Sequence, residues 1–296
     1  MKFGAIDIGT NAARLLIGEV LQNDDGYTFI KKVSYTRIPL RLGIDVFGKG
    51  RIGSKKRKEF IKTIKAFKLL SEVFDVTDLR ACATSAMREA ENGLEVKQLI
   101  LDETGVNIEI IDGAEEAKLI FSTFFLLDFE KGKPFVVIDV GGGSTEISIF
   151  RNGEIVSAQS FKIGTIRLLE NKVKDNVWDT IKEWIDLNIE ASEDYQIFGT
   201  GGNINKIHKL FDKKFMKPLY MNELDDLFKA IEPMSVKQRI KTYNLKPDRA
   251  DVIVPALLIY TTILNNLNSY RIYAPKIGCL TKLWKFRAML FLKIEH

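Results

Sequence analysis

The densest concentration of potential chemistry in this 296-residue chain is the segment Asp139-Val140-Gly141-Gly142-Gly143-Ser144-Thr145-Glu146. An apolar run, Phe135 to Ile138, delivers a carboxylate at its end. Three glycines then let the backbone turn sharply, so that bare N–H groups approach an anion closely. Ser144 and Thr145 add hydroxyls, and Glu146 adds a second carboxylate. Carboxylate, hydroxyl and bare backbone together suit Mg2+ bridged to phosphate oxygens. The competing reading is a glycine-rich β-hairpin with a solvated acid at each end.

The same pattern opens the chain. Phe3, Asp7 and Gly9 recur as Phe135, Asp139 and Gly141, all at an offset of 132, and an apolar strand resumes after each turn (Leu15 to Ile17, Ile147 to Ile149). Two aligned copies about a domain apart point to duplicated halves. Gly9, Thr10 and Asn11 then form a second anion-facing turn, and two such turns can close on one ligand from both sides of a cleft. A third cluster, Gly199-Thr200-Gly201-Gly202-Asn203, follows an apolar run and precedes a helix. There Gly201 and Gly202 would offer helix N-terminal donors to an anion, or serve as an ordinary connection. As a dinucleotide fingerprint this cluster fails, for want of its third glycine and a ribose-binding acid. Thr84 and Arg88 place a hydroxyl and a guanidinium beyond the strand ending near Ala83. Glu115 and Glu116 open a helix after Ile108 to Ile111, where acids commonly just complement the helix dipole.

Alternating strands and helices must carry these groups. Strands are expected at Tyr27 to Ile38, Leu79 to Cys82, Ile108 to Ile111, Glu154 to Phe161 and Tyr195 to Phe198. Helices are expected at Ser54 to Phe74, Ala114 to Leu127, Asn176 to Ala191, Asn222 to Ile231, Ala250 to Leu264 and Leu280 to Leu292. The alternation argues for α/β domains. A polar, turn-rich stretch, Asp128 to Pro134, separates residues 1–127 from 128–283.

Composition removes several classes. His208 and His296 are the only histidines, which disfavours a Ser-His-Asp triad or a histidine zinc site. Cys82 and Cys279 stand alone in apolar surroundings, as buried packing residues of a reducing compartment do. The longest near-apolar run, Val252 to Leu264, is too short to span a bilayer. The expectation is a cytoplasmic protein without a membrane segment. A net charge of +5 permits an anionic ligand but is thin for a nucleic-acid partner.

The motifs together resemble the exopolyphosphatase and guanosine pentaphosphate phosphohydrolase family, within the actin, sugar-kinase and heat-shock ATPase superfamily. The segments that carry the resemblance are Ile6 to Asn11, Ala83 to Arg88, Gly113 to Ala117, Asp139 to Glu146, Gly199 to Gly202 and Arg249 to Pro255. The resemblance implies two ribonuclease H-like (actin-like ATPase) domains with the active site in the interdomain cleft, and a last helix, about 284–296, packing back on the first domain. It implies that Glu116 is catalytic, with Arg88 facing the substrate phosphates. Asp139 and Glu146, joined by Asp7, would be the metal ligands for Mg2+, with Mn2+ the alternative. Gly9, Thr10, Asn11, Arg14, Thr84, Gly141, Gly142, Gly143, Ser144, Thr145, Gly201 and Gly202 would bind phosphate. The implied activity is release of the terminal phosphate from inorganic polyphosphate, or of pppGpp to ppGpp, by a homodimer. The alternatives are a non-catalytic (p)ppGpp-binding regulator and an ATP-dependent kinase of the same superfamily.

Two features depart from the family pattern. Ala12 stands where members often carry Ser, and a chain of 296 residues is expected to lack the C-terminal helical region with which the longer members help grip long polyphosphate. Short polyphosphate or a nucleotide is therefore the expected substrate. The basic run from Lys49 to Lys68 reads first as a solvated helix face, with a track for a polyanion as its functional counterpart.

Overall fold

A computed structural model of the chain describes residues 1–22, 24, 28–116, 118, 132–190 and 192–275. The described residues fall into two compact units, 1–118 and 132–275. The expected helix at 284–296, Cys279 and most of the expected Ala114 to Leu127 helix lie outside the described residues.

The first unit carries five strands: β1 (Lys2–Ile8), β2 (Ala13–Gln22), β3 (Thr28–Ile38), β4 (Asp78–Ala83) and β5 (Ile108–Ile110). Their order across the sheet is β3-β2-β1-β4-β5. The first three form an antiparallel meander, while β4 runs parallel to β1 and β5 parallel to β4. β1 is central, and all but its first residue are buried, which is why it reads as an apolar run broken only by Asp7. Four helices lie between the strands: α1 (Leu42–Lys49), α2 (Ser54–Val73), α3 (Ser85–Glu89) and α4 (Gly93–Thr104). On α2, Phe60, Ile64 and Phe67 are fully buried at helical spacing.

The second unit repeats the plan. Its strands β6 (Phe135–Val140), β7 (Thr145–Arg151), β8 (Glu154–Phe161) and β9 (Gln196–Thr200) lie in the order β8-β7-β6-β9, with the first three antiparallel and β9 parallel to β6. This is the α/β, ribonuclease H-like arrangement expected from the resemblance, present twice. β8 alternates exposed and half-buried residues, as an edge strand with one solvated face does. Asn152 and Gly153 close the β7–β8 hairpin with positive φ at both positions (51° and 77°), the geometry whose twist matches its strands. One apolar core, from Val136 and Ile149 to Leu257 and Ile263, joins this sheet to the helices behind it.

The helix expected at Ala250 to Leu264 is observed at Ile253–Asn266, preceded by a separate helical turn at Pro247–Ala250. Pro255 falls in the first turn of Ile253–Asn266, where no intrahelical donor is needed. A short two-stranded ribbon, β10 (Leu219–Tyr220) with β11 (Arg271–Ile272), has no counterpart among the expected strands. No helix among the described residues is long and apolar enough to cross a membrane.

Candidate active site

Each unit builds its glycine turn in the same way. In the first, the Gly9 N–H donates to the Ala12 carbonyl (3.1 Å), and in the second the Gly141 N–H donates to the Ser144 carbonyl (3.0 Å). A helix start then clamps each turn from outside. Arg41 and Gly43, at the beginning of α1, donate their N–H groups to the carbonyls of Asn11 and Thr10 (3.0 Å each). Thr165 and Ile166, opening the helix Thr165–Leu169, donate to Gly141 (3.1 Å) and Gly142 (2.8 Å). The Arg167 guanidinium takes the Gly143 carbonyl at 2.7 Å, and the Thr145 hydroxyl donates to Ile163 (2.7 Å). All three glycine carbonyls of this turn are therefore held by residues 165–167. Among the described residues no acceptor meets the N–H of Gly142 or of Gly143. Bare N–H groups in such a turn can cradle an anion. The turn's tight packing explains Gly164, because a Cβ there would lie 2.5–2.6 Å from the backbone of Gly142 and Gly143.

The two turns differ in the residue facing the strand-end aspartate. Asp7 is paired across the sheet with Arg14, and the guanidinium bonds its buried carboxylate at 2.5 Å. Asp139, at the equivalent place, is paired with Glu146. Both of these carboxylates are buried, and Glu146 accepts a hydrogen bond from Ser160 on β8 (2.7 Å). The first turn thus joins its acid to a cation, whereas the second sets two acids side by side. Mg2+ is usually held by only one or two carboxylates, with water and substrate phosphates completing its shell. Asp139 and Glu146 fit that donor set, and Asp7 serves as the anchor of Arg14.

The third glycine cluster meets the second turn from β9. Thr200 is paired with Asp139, and Gly201 follows with φ 104° and ψ 169°, a conformation essentially reserved for glycine. A Cβ at Gly201 would lie 3.1 Å from the Val140 carbonyl and 3.2 Å from Asp139 Oδ1. Gly201→Ala is therefore expected to cost about 1–3 kcal/mol of stability by urea denaturation. It should also weaken any metal-induced rise in Tm, because the carboxylate must shift. Gly202 starts the helix Gly202–Leu210 and lies under the Arg249 guanidinium, which bonds Asn203 Oδ1 at 3.0 Å. Tyr260 is fully buried behind the cluster, its hydroxyl donating to the Thr200 carbonyl (2.6 Å). Burial, and after it the nearby charge of Asp139, pushes the Tyr260 hydroxyl well above its ordinary value.

In the first unit Thr10 is buried and shares a 2.8 Å hydrogen bond with Ser85, the first residue of α3. Arg88, on the same helix, donates to the Ile111 carbonyl at 2.8 Å, and Ile111 N–H bonds Ala83. Arg88 therefore ties the segment that begins the 113–116 helical turn to α3, while the Ile111 N–H ties it to the end of β4. The two acids of that turn part company. Glu115 is half-buried and bonds Arg80 (3.1 Å), which also holds Glu109. Glu116 is 9% exposed. Thr84, also buried, stands between β4 and α3.

Cys82 faces this region from β4, paired with Asp7. Burial first, opposed by Arg80, pushes its thiol up to about 12. A thiol whose folded value exceeds its unfolded one adds stability below the unfolded value, near 8.5, and loses that contribution as pH rises toward 12. Peptide mapping after iodoacetamide treatment of the native protein is expected to find Cys82 unmodified at pH 8. Unfolding in urea should expose it to full modification.

Sequence reasoning did not single out Ser85, Ser160, Arg167, Tyr260 or Gly164. Arg167 and Gly164 sit just beyond β8, where the helix start that clamps the glycine turn is the only local signal.

The comparisons with known proteins agree with this geometry. The model of the Ppx/GppA phosphatase family matches residues 20–278. The chain is 28% identical over 287 residues to a bifunctional 3-dehydroquinate synthase/phosphatase of Fusobacterium nucleatum, covering 88% of this chain and 43% of that protein. It is 25% identical over 279 residues to exopolyphosphatase 1 of Mycobacterium bovis, covering 88% of this chain and 80% of that one. The chain thus spans less than half of the first relative and four fifths of the second. A crystal structure of an exopolyphosphatase from Cytophaga hutchinsonii superposes with a TM-score of 0.83 at 23% identity, covering 98% of both chains, and that of the Aquifex aeolicus PPX-GPPA enzyme with 0.76, covering 96% of this chain and 98% of that one. Two units of one ribonuclease H-like plan, a triple-glycine turn between buried carboxylates and a match over most of the sequence lead to one assignment: the chain belongs to the Ppx/GppA phosphatase family.

Proposed function

We propose that this protein is an exopolyphosphatase, which hydrolyses the terminal phosphoanhydride bond of inorganic polyphosphate. The observation that carries this reading is the difference between two otherwise equivalent turns: Asp7 faces Arg14, whereas Asp139 faces Glu146. A turn that carries a guanidinium suits phosphate oxygens, and a turn with two facing acids suits a divalent cation.

In this reading Arg14, held by Asp7, offers its guanidinium to phosphate oxygens, as Gly142 and Gly143 offer their N–H groups. Asp139 and Glu146 would hold Mg2+, with Mn2+ the alternative, directly or through water, and a cation bound there would supply neutralisation of the phosphate's negative charge. Glu116 accepts a proton from the attacking water. The water oxygen bonds to the terminal phosphorus, the bond to the bridging oxygen breaks, and phosphate leaves with a chain one unit shorter. Arg88 positions the Glu116 segment through Ile111. Developing negative charge meets donors already aimed at it, which is where such sites gain most of their rate.

Guanosine pentaphosphate presents the same terminal anhydride, so it is the second substrate to test. Phosphate release with Mg2+ from tripolyphosphate, long polyphosphate and guanosine pentaphosphate tests the proposal, and the ranking of rates names the substrate. Binding of these anions with no release from any of them would replace the enzyme by an alarmone-binding regulator.

A further inference from the structure

The charges of α2 run against the helix's own electrostatics. A helix N-terminus favours acids and a C-terminus bases. The first turn of α2 holds no acid and carries Lys55, Lys56 and Arg57, with Lys58 directly after it, and its last turn holds no base. Like charges three and four residues apart, Lys55 with Lys58 and Lys58 with Lys62, add repulsion.

Structural use accounts for only part of this basic run. Lys56 bonds Glu59 (2.8 Å), Arg57 bonds Glu95 (2.6 Å) and Lys65 bonds Glu103 (2.6 Å), while Lys68 donates to the Thr104 carbonyl (3.0 Å). The last three fasten α2 to α4. Lys49, Arg51, Lys55, Lys58 and Lys62 are exposed, and none of the five makes an ion pair or side-chain hydrogen bond among the described residues. The nearest compensation is Glu59, whose carboxyl is held below its ordinary value by the Lys56 hydrogen bond first, with a smaller pull from Lys55.

This face is rigidly tied to the phosphate turn of its own unit. α1 starts where Arg41 and Gly43 clamp Asn11 and Thr10, and it ends at Lys49, about 12 Å away at 1.5 Å per residue. The link onward to α2 is fixed as well. Ile52 exchanges two hydrogen bonds with the Asn92 side chain (2.9 and 3.0 Å), and Gly53 N–H donates to Asp45 (2.9 Å).

We propose that the exposed cations of this face, from Lys49 to Lys62, form a second binding surface for inorganic polyphosphate, which holds the part of a long chain lying beyond the cleaved bond. This rests on the exopolyphosphatase reading and deepens it. Side chains three and four apart on a helix stand about 5–6 Å from one another. A linear anion with a charge on every unit meets several of them at once, and a short one does not. Binding of this kind is sensitive to salt and multivalent.

The test is the triple variant Lys55→Gln/Lys58→Gln/Lys62→Gln. Its KM for long polyphosphate is expected to rise about tenfold or more, with kcat unchanged and KM for tripolyphosphate unchanged. The salt dependence of long-chain binding should become shallower by about 2 in log–log slope, roughly 0.7 per cation removed on the single-strand scale. A Tm at or above that of wild type excludes unfolding as the cause. An unchanged KM for the long chain, or an equal rise for both substrates, overturns the proposal.

Direct binding of long polyphosphate to wild type and variant in EDTA separates this inference from the catalytic one. If wild type hydrolyses nothing, weaker binding by the variant still supports the surface and equal binding ends it. A variant that loses single-stranded RNA binding while holding polyphosphate like wild type would assign the face to nucleic acid and overturn the proposal.

Discussion

Glu116→Gln is expected to lower phosphate release from polyphosphate by about 10²–10⁴-fold, the range over which a positioned general base contributes. Binding of the substrate and the Tm should stay near wild type, because the amide keeps the shape of the side chain. The neighbouring substitution Glu115→Gln makes the comparison discriminating. Glu115 is tied to Arg80, an arginine held protonated first by its hydrogen bonds to Glu109 and only last by Glu115. Its loss removes one contact of a part-exposed network, so activity should fall by no more than a few fold, with stability changed by about 1 kcal/mol or less. Steady-state phosphate release for both variants decides the matter. Similar losses in the two would mean that the turn acts as a unit and that Glu116 has no distinct role.

The second large effect is expected at the facing carboxylates of the second unit. Asp139→Asn or Glu146→Gln should lower Mg2+-dependent turnover by at least 10²-fold and remove the Mg2+-induced rise in Tm. A ligand that binds only the folded state raises stability by mass action, about 2.7 kcal/mol at a hundred times its Kd, and losing the site loses that increment. Without metal the sign reverses. Like charges directly opposite on paired strands are destabilising, so each variant should melt at or above wild type in EDTA. The Glu146→Gln amide oxygen can still accept from Ser160. Thermal melts with and without Mg2+ read both effects. A variant that loses activity but keeps the full Mg2+ shift would place the cation elsewhere and remove Asp139 and Glu146 from the proposed mechanism.

Much of this architecture is written locally. The repeat at an offset of 132, Phe3-Asp7-Gly9 against Phe135-Asp139-Gly141, already contains the duplication, because a strand that ends in an acid and a glycine turn needs only its neighbours to form. The strands and most of the helix bounds follow from the same cause, a period of 2 or 3.6 read over a short window. The acid pair Glu115-Glu116 was equally visible, but which member Arg80 holds was not. That depends on Arg80, thirty-five residues away, reaching Glu115 from β4.

Register shows the same limit. Continuing the pairing of Phe150 with Ile155 along the hairpin would set Gln159 opposite Glu146. A bulge between Ile149 and Phe150 shifts the register by one residue and sets Ser160 there. Because side chains alternate with a period of 2, that single residue decides which side chain meets the carboxylate. Tyr260 behind Thr200, Gly164 against the glycine turn and Arg249 across Gly202 are likewise contacts between segments distant in the chain. The sequence alone determined the duplicated strand–turn–strand units and the residue types at each turn, since those are set by neighbours a few positions apart. Only the tertiary structure decided that Asp7 would meet Arg14 as an ion pair while Asp139 met Glu146, because strand pairing, and not sequence proximity, chooses which side chain each carboxylate faces.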